Sequence, residues 1–147
     1  MKKAIKYGLL LFLVLCLVAV RVFIEPLLYD PLIEFFKSDY LHNAIPDLYL
    51  GLYIANLSVR FFINSLISLL IIFVVFNNKN TVLFSGIVYL FSYLFLIISF
   101  FLIVEYKLIE GYLTVFYLRR FLIHPIILLL LIPAYYYQEL VSEKRKP

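Results

Sequence analysis

Residues 48–76 read LYLGLYIANLSVRFFINSLISLLIIFVVF, and residues 82–104 read VLFSGIVYLFSYLFLIISFFLIV. Each run exceeds the roughly 20 apolar residues with which an α-helix crosses a hydrocarbon core of roughly 30 Å. The polar sequence NNKN at 77–80 lies between them and predicts a tight turn that returns the chain into the membrane. Two spanning helices joined by a short turn are therefore the centre of the predicted fold.

The whole chain has the composition of a membrane protein. Of its 147 residues, 65% are hydrophobic and 15% are charged, and the mean hydropathy is +1.04. This apolar surface exceeds what one water-facing globule could bury. The unbroken apolar runs differ from the alternating strands of a membrane barrel. The sequence predicts an all-α, polytopic membrane protein built as a four-transmembrane-helix bundle, without room for a separate catalytic domain.

The predicted spans lie at about 4–24, 48–76, 82–104 and 112–137. The first span follows a basic start and resembles a secretory signal peptide, but the residues around Ala19 lack a small-x-small cleavage pattern, so we expect a transmembrane helix. Cys16 lies inside this apolar run and is expected to be a packing residue. The charged tail at 138–147 has no apolar periodicity and is predicted to be frayed or disordered.

Between spans 1 and 2, residues 25–47 combine charged and apolar residues. Asp30 followed by Pro31 is typical of a helix start, because an acidic side chain caps free amides and proline fits the first helical position. We therefore predict a short amphipathic helix lying in the outer membrane interface. The residues expected to face the acyl chains are Leu32, Phe35, Phe36 and Tyr40. Interfacial anchors are predicted at Tyr49, Tyr53 and Tyr135 to Tyr137.

Charge distribution predicts the orientation, because cytoplasmic loops carry the excess of lysine and arginine. One side carries Lys2, Lys3, Lys6, Lys79, Lys144, Arg145 and Lys146. The other side carries Glu25, Asp30, Glu34, Asp39, Asp47, Glu105 and Glu110, against Arg21, Lys37 and Lys107. Both termini are therefore predicted to be cytoplasmic. The net charge of +4 reflects this topology and forms no basic face for nucleic acid, so no nucleic-acid partner is expected.

Three arginines fall inside predicted spans, where a charge is costly and needs a partner. Counting from the cytoplasmic ends at about 1.5 Å per residue places Arg60 and Arg120 at the same level, roughly 25 Å above the inner boundary. Asn64 lies one turn from Arg60, and His124 lies one turn from Arg120, which Arg119 precedes. If spans 2 and 4 pack with these faces together, they form a polar cluster near the outer surface.

The acidic outer segment can supply counter-charges to this cluster from Asp30, Asp39 or Asp47. Two readings of the arginines stay open. In the first, they serve structure alone, by reaching lipid phosphates or by pairing with the outer segment. In the second, the cluster binds a substrate or a partner protein, with Arg60, Asn64, Arg119, Arg120, His124, Asp30 and Asp39 as its residues.

His124 also has two readings. Its side chain has the acid-base chemistry of a proton-transfer group. The favoured interpretation is a buried hydrogen-bonding residue beside a kink at Pro125, where a freed backbone carbonyl needs a partner. No second histidine, cysteine or carboxylate lies at ligand spacing from it, so we predict no metal site and no cofactor.

Several strings, read together, resemble the exosortase F system-associated membrane proteins. They are LYDPL at 28–32, FKSDY at 36–40, RFFINSL at 60–66, FYLRRFLIHP at 116–125 and IPAYYYQ at 132–138. The resemblance covers nearly the whole chain, although each string alone is unspecific. Members often carry glutamine at the position of His124, which implies that an imidazole is not required there.

The resemblance implies an accessory role in the inner membrane of a bacterium with an outer membrane, beside an exosortase that handles C-terminal membrane-anchored signals on exported proteins. Exosortases work through a cysteine, with an arginine and a histidine near the outer face. Here the single cysteine lies within the first span, so the resemblance implies a companion that is not an enzyme. The expected partners are membrane lipids and an exosortase, with the oligomeric state left open.

Two functions of other classes remain as alternatives. The first is an intramembrane enzyme or lipid-handling protein, in which His124 transfers a proton and the arginines bind a phosphate or carboxylate. The second is a small transporter. It is disfavoured because the charge lies near one surface and not at the midplane, where transport sites usually lie.

Overall fold

The computed structural model describes residues 3–28, 30–38, 47, 49–107 and 112–144, and this part of the chain is helical, with no strand. In chain order the elements are α1 (Lys3–Ala19), a π-helical turn (Val20–Ile24), a 3-10 turn (Glu25–Leu27), α2 (Pro31–Lys37), α3 (Leu50–Phe76), α4 (Lys79–Tyr106), α5 (Tyr112–Ile123) and α6 (Ile126–Lys144). The predicted all-α class is confirmed. Within the described residues, four helices are long and apolar enough to cross a membrane: Lys3–Leu27, Leu50–Phe76, Lys79–Tyr106 and Ile126–Lys144.

The turn between α3 and α4 has the chemistry that its sequence predicts. Asn77 ends α3 in the left-handed conformation, with φ of 50°, which asparagine tolerates better than most residues. The side chain of Asn78 accepts a hydrogen bond of 2.9 Å from the amide of Asn80 and so caps α4. Helix α4 begins at Lys79, before the start of the predicted 82–104 span, because the cap allows the helix to start at the turn.

The predicted single span at 112–137 is two helices, α5 and α6, separated at His124 and Pro125. Proline has no amide hydrogen, and it disfavours helical geometry in the residue before it, so the helix ends instead of bending. With 12 residues, α5 is about 18 Å long and too short to span a bilayer alone. The tail prediction also needs correction, because α6 continues to Lys144 through the segment expected to fray.

Helix α3 lies at the centre of the bundle and contacts α1, α4 and α5. One core cluster joins α2, α3, α4 and α5 through Leu32, Phe35, Tyr53, Leu57, Phe61, Tyr89, Leu96, Phe100, Val115, Leu122 and Ile123. A second joins α1, α3 and α6 through Leu13, Ile71, Ile72, Val74, Leu128 and Tyr135. The outward faces of α1 and α4 keep large apolar side chains exposed, such as Leu11 and Phe95. These faces suit contact with lipid.

Helix α2 packs on the other helices, which corrects the prediction that its apolar face meets the acyl chains. Leu32 is fully buried and Phe35 is 8% exposed, both within the first core cluster. The ring of Phe36 lies 5.0 Å from the ring of Phe116 on α5, measured between centroids, in an edge-on arrangement. An amphipathic pattern is satisfied equally by lipid and by a protein surface. Tyr40 lies outside the described residues.

Polar side chains also connect the helices. Ser58 on α3 and Tyr93 on α4 share a hydrogen bond of 2.7 Å, and Ser85 on α4 shares one of 2.8 Å with Tyr135 on α6. Tyr135 is 8% exposed and is therefore a core residue, not the predicted interfacial anchor. The ammonium group of Lys6 on α1 donates to the carbonyl of Val75 at 2.7 Å, which satisfies a free acceptor in the last turn of α3.

Candidate functional site

A single carboxylate oxygen joins three parts of the chain. Oδ2 of Asp30 accepts a hydrogen bond of 2.8 Å from Nη1 of Arg60 on α3 and one of 2.5 Å from Nη2 of Arg119 on α5. The Asp30 side chain is 1% exposed, and those of Arg60 and Arg119 are 3% and 13% exposed. We name these three residues the Asp30 cluster, and the end of the bundle that contains them the Asp30 end.

Asp30 precedes α2, as the sequence predicts, but its side chain does not cap the helix. It turns towards the two guanidinium groups instead. A buried carboxylate needs an opposite charge as well as hydrogen-bond donors, and the two guanidinium groups supply both, whereas backbone amides supply only donors. Pro31 at the first helical position starts α2 without an amide that needs a cap. The proline therefore leaves the carboxylate available for the arginines.

Arg60 also connects α3 to the end of the first span. Its Nη2 donates to the backbone carbonyl of Glu25 at 3.2 Å. Its Nε is buried and has no hydrogen-bond partner among the described residues, and the same holds for Oδ1 of Asp30. The cluster thus retains one free donor on Arg60 and one free acceptor on Asp30. Such buried polar atoms are uncommon in native proteins.

Arg119 is oriented by Tyr53, a residue predicted from the sequence to be an interfacial anchor. Its Nε donates to the hydroxyl of Tyr53 at 3.0 Å, and Tyr53 is fully buried. The ring of Tyr53 packs against that of Phe100 with 5.5 Å between centroids. Tyr53 lies two helical turns before Arg60 on α3, so the two side chains share one face. That spacing was the available signal for including Tyr53 in the site.

Asn64 supports the break between α5 and α6. Its Nδ2 donates to the backbone carbonyl of Ile123, the last residue of α5, at 2.6 Å. The last carbonyl groups of a helix have no amide donor within the helix. When such a carbonyl is buried, leaving it unpaired is costly. Asn64 is 7% exposed, so it satisfies a buried group that the break at Pro125 sets free. Its position one turn from Arg60 places both side chains on the same face of α3.

Arg119, and not Arg120, is the arginine that meets Arg60. Arg120 is exposed, and its guanidinium carbon lies 6.0 Å from the centroid of the Phe116 ring, at the outer limit of a cation–π contact. Successive residues of an α-helix are rotated by about 100°, so neighbouring arginines on α5 face different directions. Of the two arginines predicted for the cluster on this helix, Arg119 therefore meets Arg60 through Asp30, whereas Arg120 forms no ion pair with it.

His124 and Asp47 form none of the hydrogen bonds of the Asp30 cluster. His124 is half-buried in the break between α5 and α6. Asp47 is exposed and forms no ion pair within the described segments of the chain. Asp39 lies outside the described residues. Of the two described residues considered as counter-charges, Asp30 and Asp47, Asp30 lies against the arginines.

A cavity of about 270 Å³ adjoins the cluster, between the end of the first span, α3 and the break at Pro125. Its polar lining comes from Arg21, Glu25, Arg60, Asn64 and His124. Its apolar lining includes Val14, Leu17, Val18 and Ile123. The lining of the cavity therefore combines cations, one carboxylate and an imidazole with hydrocarbon side chains.

The described part of the chain contains no group of three histidine, cysteine, aspartate or glutamate side chains that could hold a metal ion. Cys16 is partly buried on α1, and it is not among the residues that line the cavity. What the site offers chemically is hydrogen-bond donation and charge. In comparisons with known proteins, no protein-family model, curated protein or solved structure matches this chain. The resemblance to the exosortase-associated family stays a prediction from the sequence strings.

Proposed function

We propose that this chain is a non-enzymatic accessory protein of an exosortase sorting system in a bacterial inner membrane. It binds the exosortase, or the membrane anchor of an exosortase substrate, at the Asp30 end of its bundle. The sequence resemblance supports the choice of system. The observation that carries the proposed binding surface is Arg120, an exposed arginine on a short membrane helix that has no carboxylate partner in the described part of the chain.

Arg120 lies on an exposed face of α5. The other large side chains of this face are Leu113, Tyr117 and Phe121, which are 49%, 54% and 38% exposed. Positions 113, 117, 120 and 121 share one side of a helix. Aromatic residues and arginine are the types enriched in the cores of protein interfaces. Because an arginine facing lipid is costly, a partner that brings a carboxylate to this face gains binding energy.

The Asp30 cluster holds this face in position. Arg119 is fixed by Asp30 and Tyr53, and its neighbour in sequence is Arg120. Buried groups that already bind each other are poorly placed to contact a partner. We therefore assign Arg60, Arg119 and Asp30 to positioning α5, and we assign partner contact to the exposed face of that helix.

The orientation is part of the proposal: both termini are cytoplasmic and the Asp30 end faces outward. Support comes from the opposite end of the bundle, where Lys6 contacts the last turn of α3 and Lys79 begins α4. Cytoplasmic ends carry such an excess of lysine. In a Cys16→Ser background, a membrane-impermeant maleimide applied to spheroplasts should label Asp47→Cys and leave Lys144→Cys unlabelled. The reverse pattern would contradict this orientation.

Co-purification tests the binding proposal. Tagged chain and a co-expressed exosortase are extracted in mild detergent, and the amount of partner retained is compared between wild type, Arg120→Gln and Lys37→Gln. Lys37 is exposed on α2, so its variant removes one positive charge from the same end without altering α5. The Arg120→Gln variant should retain at most about a tenth of the partner that wild type retains, which is the loss expected for one strong charged contact. Equal retention by both variants, with unchanged thermal unfolding, would reject this face as the binding surface.

A second candidate function rests on one observation: His124 lines the same cavity as Arg21 and Arg60. An intramembrane enzyme or lipid-handling protein could use the imidazole for proton transfer and the guanidinium groups to bind a phosphate. Purified chain in liposomes with labelled phospholipid or labelled sorting-signal peptide separates the two functions. Turnover that His124→Ala abolishes would replace the accessory proposal by this one.

A further inference from the structure

The cavity beside the Asp30 cluster has an order along its length. Val14, Leu17 and Val18 lie on one face of α1, and the same face continues to Arg21. From Val14 to Arg21 the rise is about 10 Å. A molecule lying along this face would therefore contact hydrocarbon first and charged groups at its end. That order matches an amphiphile and not a uniformly polar solute.

Arg60 contributes a donor without an acceptor. Two of its nitrogens are bonded, to Asp30 and to the carbonyl of Glu25. Its Nε is buried and has no partner among the described residues, although Arg60 lines the cavity. Asp30 supplies one negative charge against the two guanidinium groups of Arg60 and Arg119, so one positive charge beside the cavity stays unbalanced among the described residues and favours an anionic group there.

The charges around the cavity specify the head of the ligand. Arg21 and Arg60 offer guanidinium groups, which bind phosphate oxygens well. Glu25 adds a carboxylate, and His124 adds an imidazole. A purely anionic ligand would meet repulsion from Glu25, whereas a head that carries both a phosphate and an ammonium group can satisfy the arginines and the glutamate together.

The size of the cavity fits part of a lipid. At about 270 Å³, it lies just below the range of roughly 300–1,000 Å³ for sites that enclose a whole small molecule. It therefore accommodates the phosphate region and a section of one acyl chain, while the rest of the lipid stays in the bilayer. Ordered water alone would need polar partners throughout, which the wall formed by Val14, Leu17 and Val18 does not offer.

We propose that this cavity binds a single phospholipid of the phosphoethanolamine class. Its phosphate lies at Arg21, on the side of the cavity that Arg60 lines, its ammonium group lies at Glu25, and one acyl chain runs along α1. The lipid is held and not converted, so it acts as a structural component of the Asp30 end. This site is separate from the exposed face of α5, and lipid binding does not depend on the proposed partner.

Native mass spectrometry of the full chain, released from nanodiscs of equal phosphatidylethanolamine and phosphatidylglycerol content, tests the proposal. Wild type and the charge-matched control Lys37→Gln should each retain one phosphatidylethanolamine. Arg21→Gln should retain it about tenfold less, the loss expected for one charged contact. Val18→Phe, which narrows the apolar part of the cavity, should lower retention while circular dichroism shows unchanged helix content.

Water-soluble glycerophosphoethanolamine, added in excess, distinguishes a lipid site from a phosphate site. It should compete poorly, because it lacks the acyl chain. The proposal is overturned if Arg21→Gln retains as much lipid as Lys37→Gln, if phosphatidylglycerol is retained in preference, or if the soluble head group competes as well as the lipid. A hydrophobic peptide retained in place of lipid would also overturn it.

Discussion

Arg119 donates to Asp30 at 2.5 Å across 89 positions of sequence. The same oxygen of Asp30 accepts from Arg60, which belongs to a different helix. The segment before α2 is thereby attached to α3 and α5 at once, and the apolar residues of α2 are held against the bundle. One buried carboxylate therefore determines how the Asp30 end is assembled.

Replacing Asp30 should be among the most destabilising single changes in the chain. Asp30→Asn keeps the shape of the side chain but leaves two buried guanidinium groups without a counter-charge. We expect a loss of about 3–5 kcal/mol in the free energy of unfolding, measured by reversible unfolding in mixed micelles. Asp47→Asn is the control, because Asp47 is exposed, and its effect should stay within about 0.5 kcal/mol. Similar losses for both variants would contradict the role of Asp30.

Tyr53→Phe removes only the hydroxyl that accepts from Arg119. The ring contact with Phe100 remains, so the expected loss reflects one buried hydrogen bond to a charged donor, about 1.5–3 kcal/mol. Thermal unfolding in detergent measures it. Tyr117→Phe removes an exposed hydroxyl and should be nearly neutral. If the two variants unfold alike, the hydroxyl of Tyr53 does not orient Arg119.

Asn64 and Pro125 should show coupled effects. Asn64→Ala leaves the carbonyl of Ile123 unpaired, at an expected cost of about 1–3 kcal/mol. In a Pro125→Ala background the chain regains an amide at that position, the helix can continue through the break, and Asn64→Ala should cost less. A double-mutant cycle on unfolding free energies measures the coupling. Strictly additive effects would show that Asn64 does not compensate for the break.

Lys6 should stabilise the opposite end of the bundle. Lys6→Met removes the donor to the carbonyl of Val75, together with a favourable cation at the end of α3. We expect a loss of about 1 kcal/mol. Lys3→Met also removes one lysine from this end, and Lys3 is exposed, so it controls for general charge effects. A larger loss in Lys3→Met than in Lys6→Met would contradict the assignment.

The sequence was sufficient to predict the spanning helices because lipid imposes the same requirement on every span. Each needs about 20 apolar residues, with all backbone groups paired within the helix. The turn at Asn77 and Asn78 was readable because asparagine tolerates the left-handed conformation that ends α3, and its side chain can cap the start of α4. The complete separation of α5 from α6 was not readable. Proline in a membrane helix can produce a kink or an end, and the supporting contact from Asn64 is distant in sequence.

The site was predictable in part. Counting residues along each span gives depth, and depth correctly placed an arginine of the fourth stretch near Arg60. Depth carries no information on rotation, so it could not distinguish Arg119 from Arg120, which differ by about 100° around α5. Similarly, the pattern of Leu32 and Phe35 defines an apolar face, but it cannot show whether lipid or protein covers that face.

The most direct measurement is a double-mutant cycle between Asp30 and Arg119, using Asp30→Asn and Arg119→Gln. Unfolding free energies are determined in mixed micelles for wild type, both single variants and the double variant. Because both residues share one buried contact, we predict that the double variant is less destabilised than the sum of the single variants, by about 1–3 kcal/mol. Additive losses, with a coupling energy near zero, would contradict the claim that Asp30 joins α5 to the bundle.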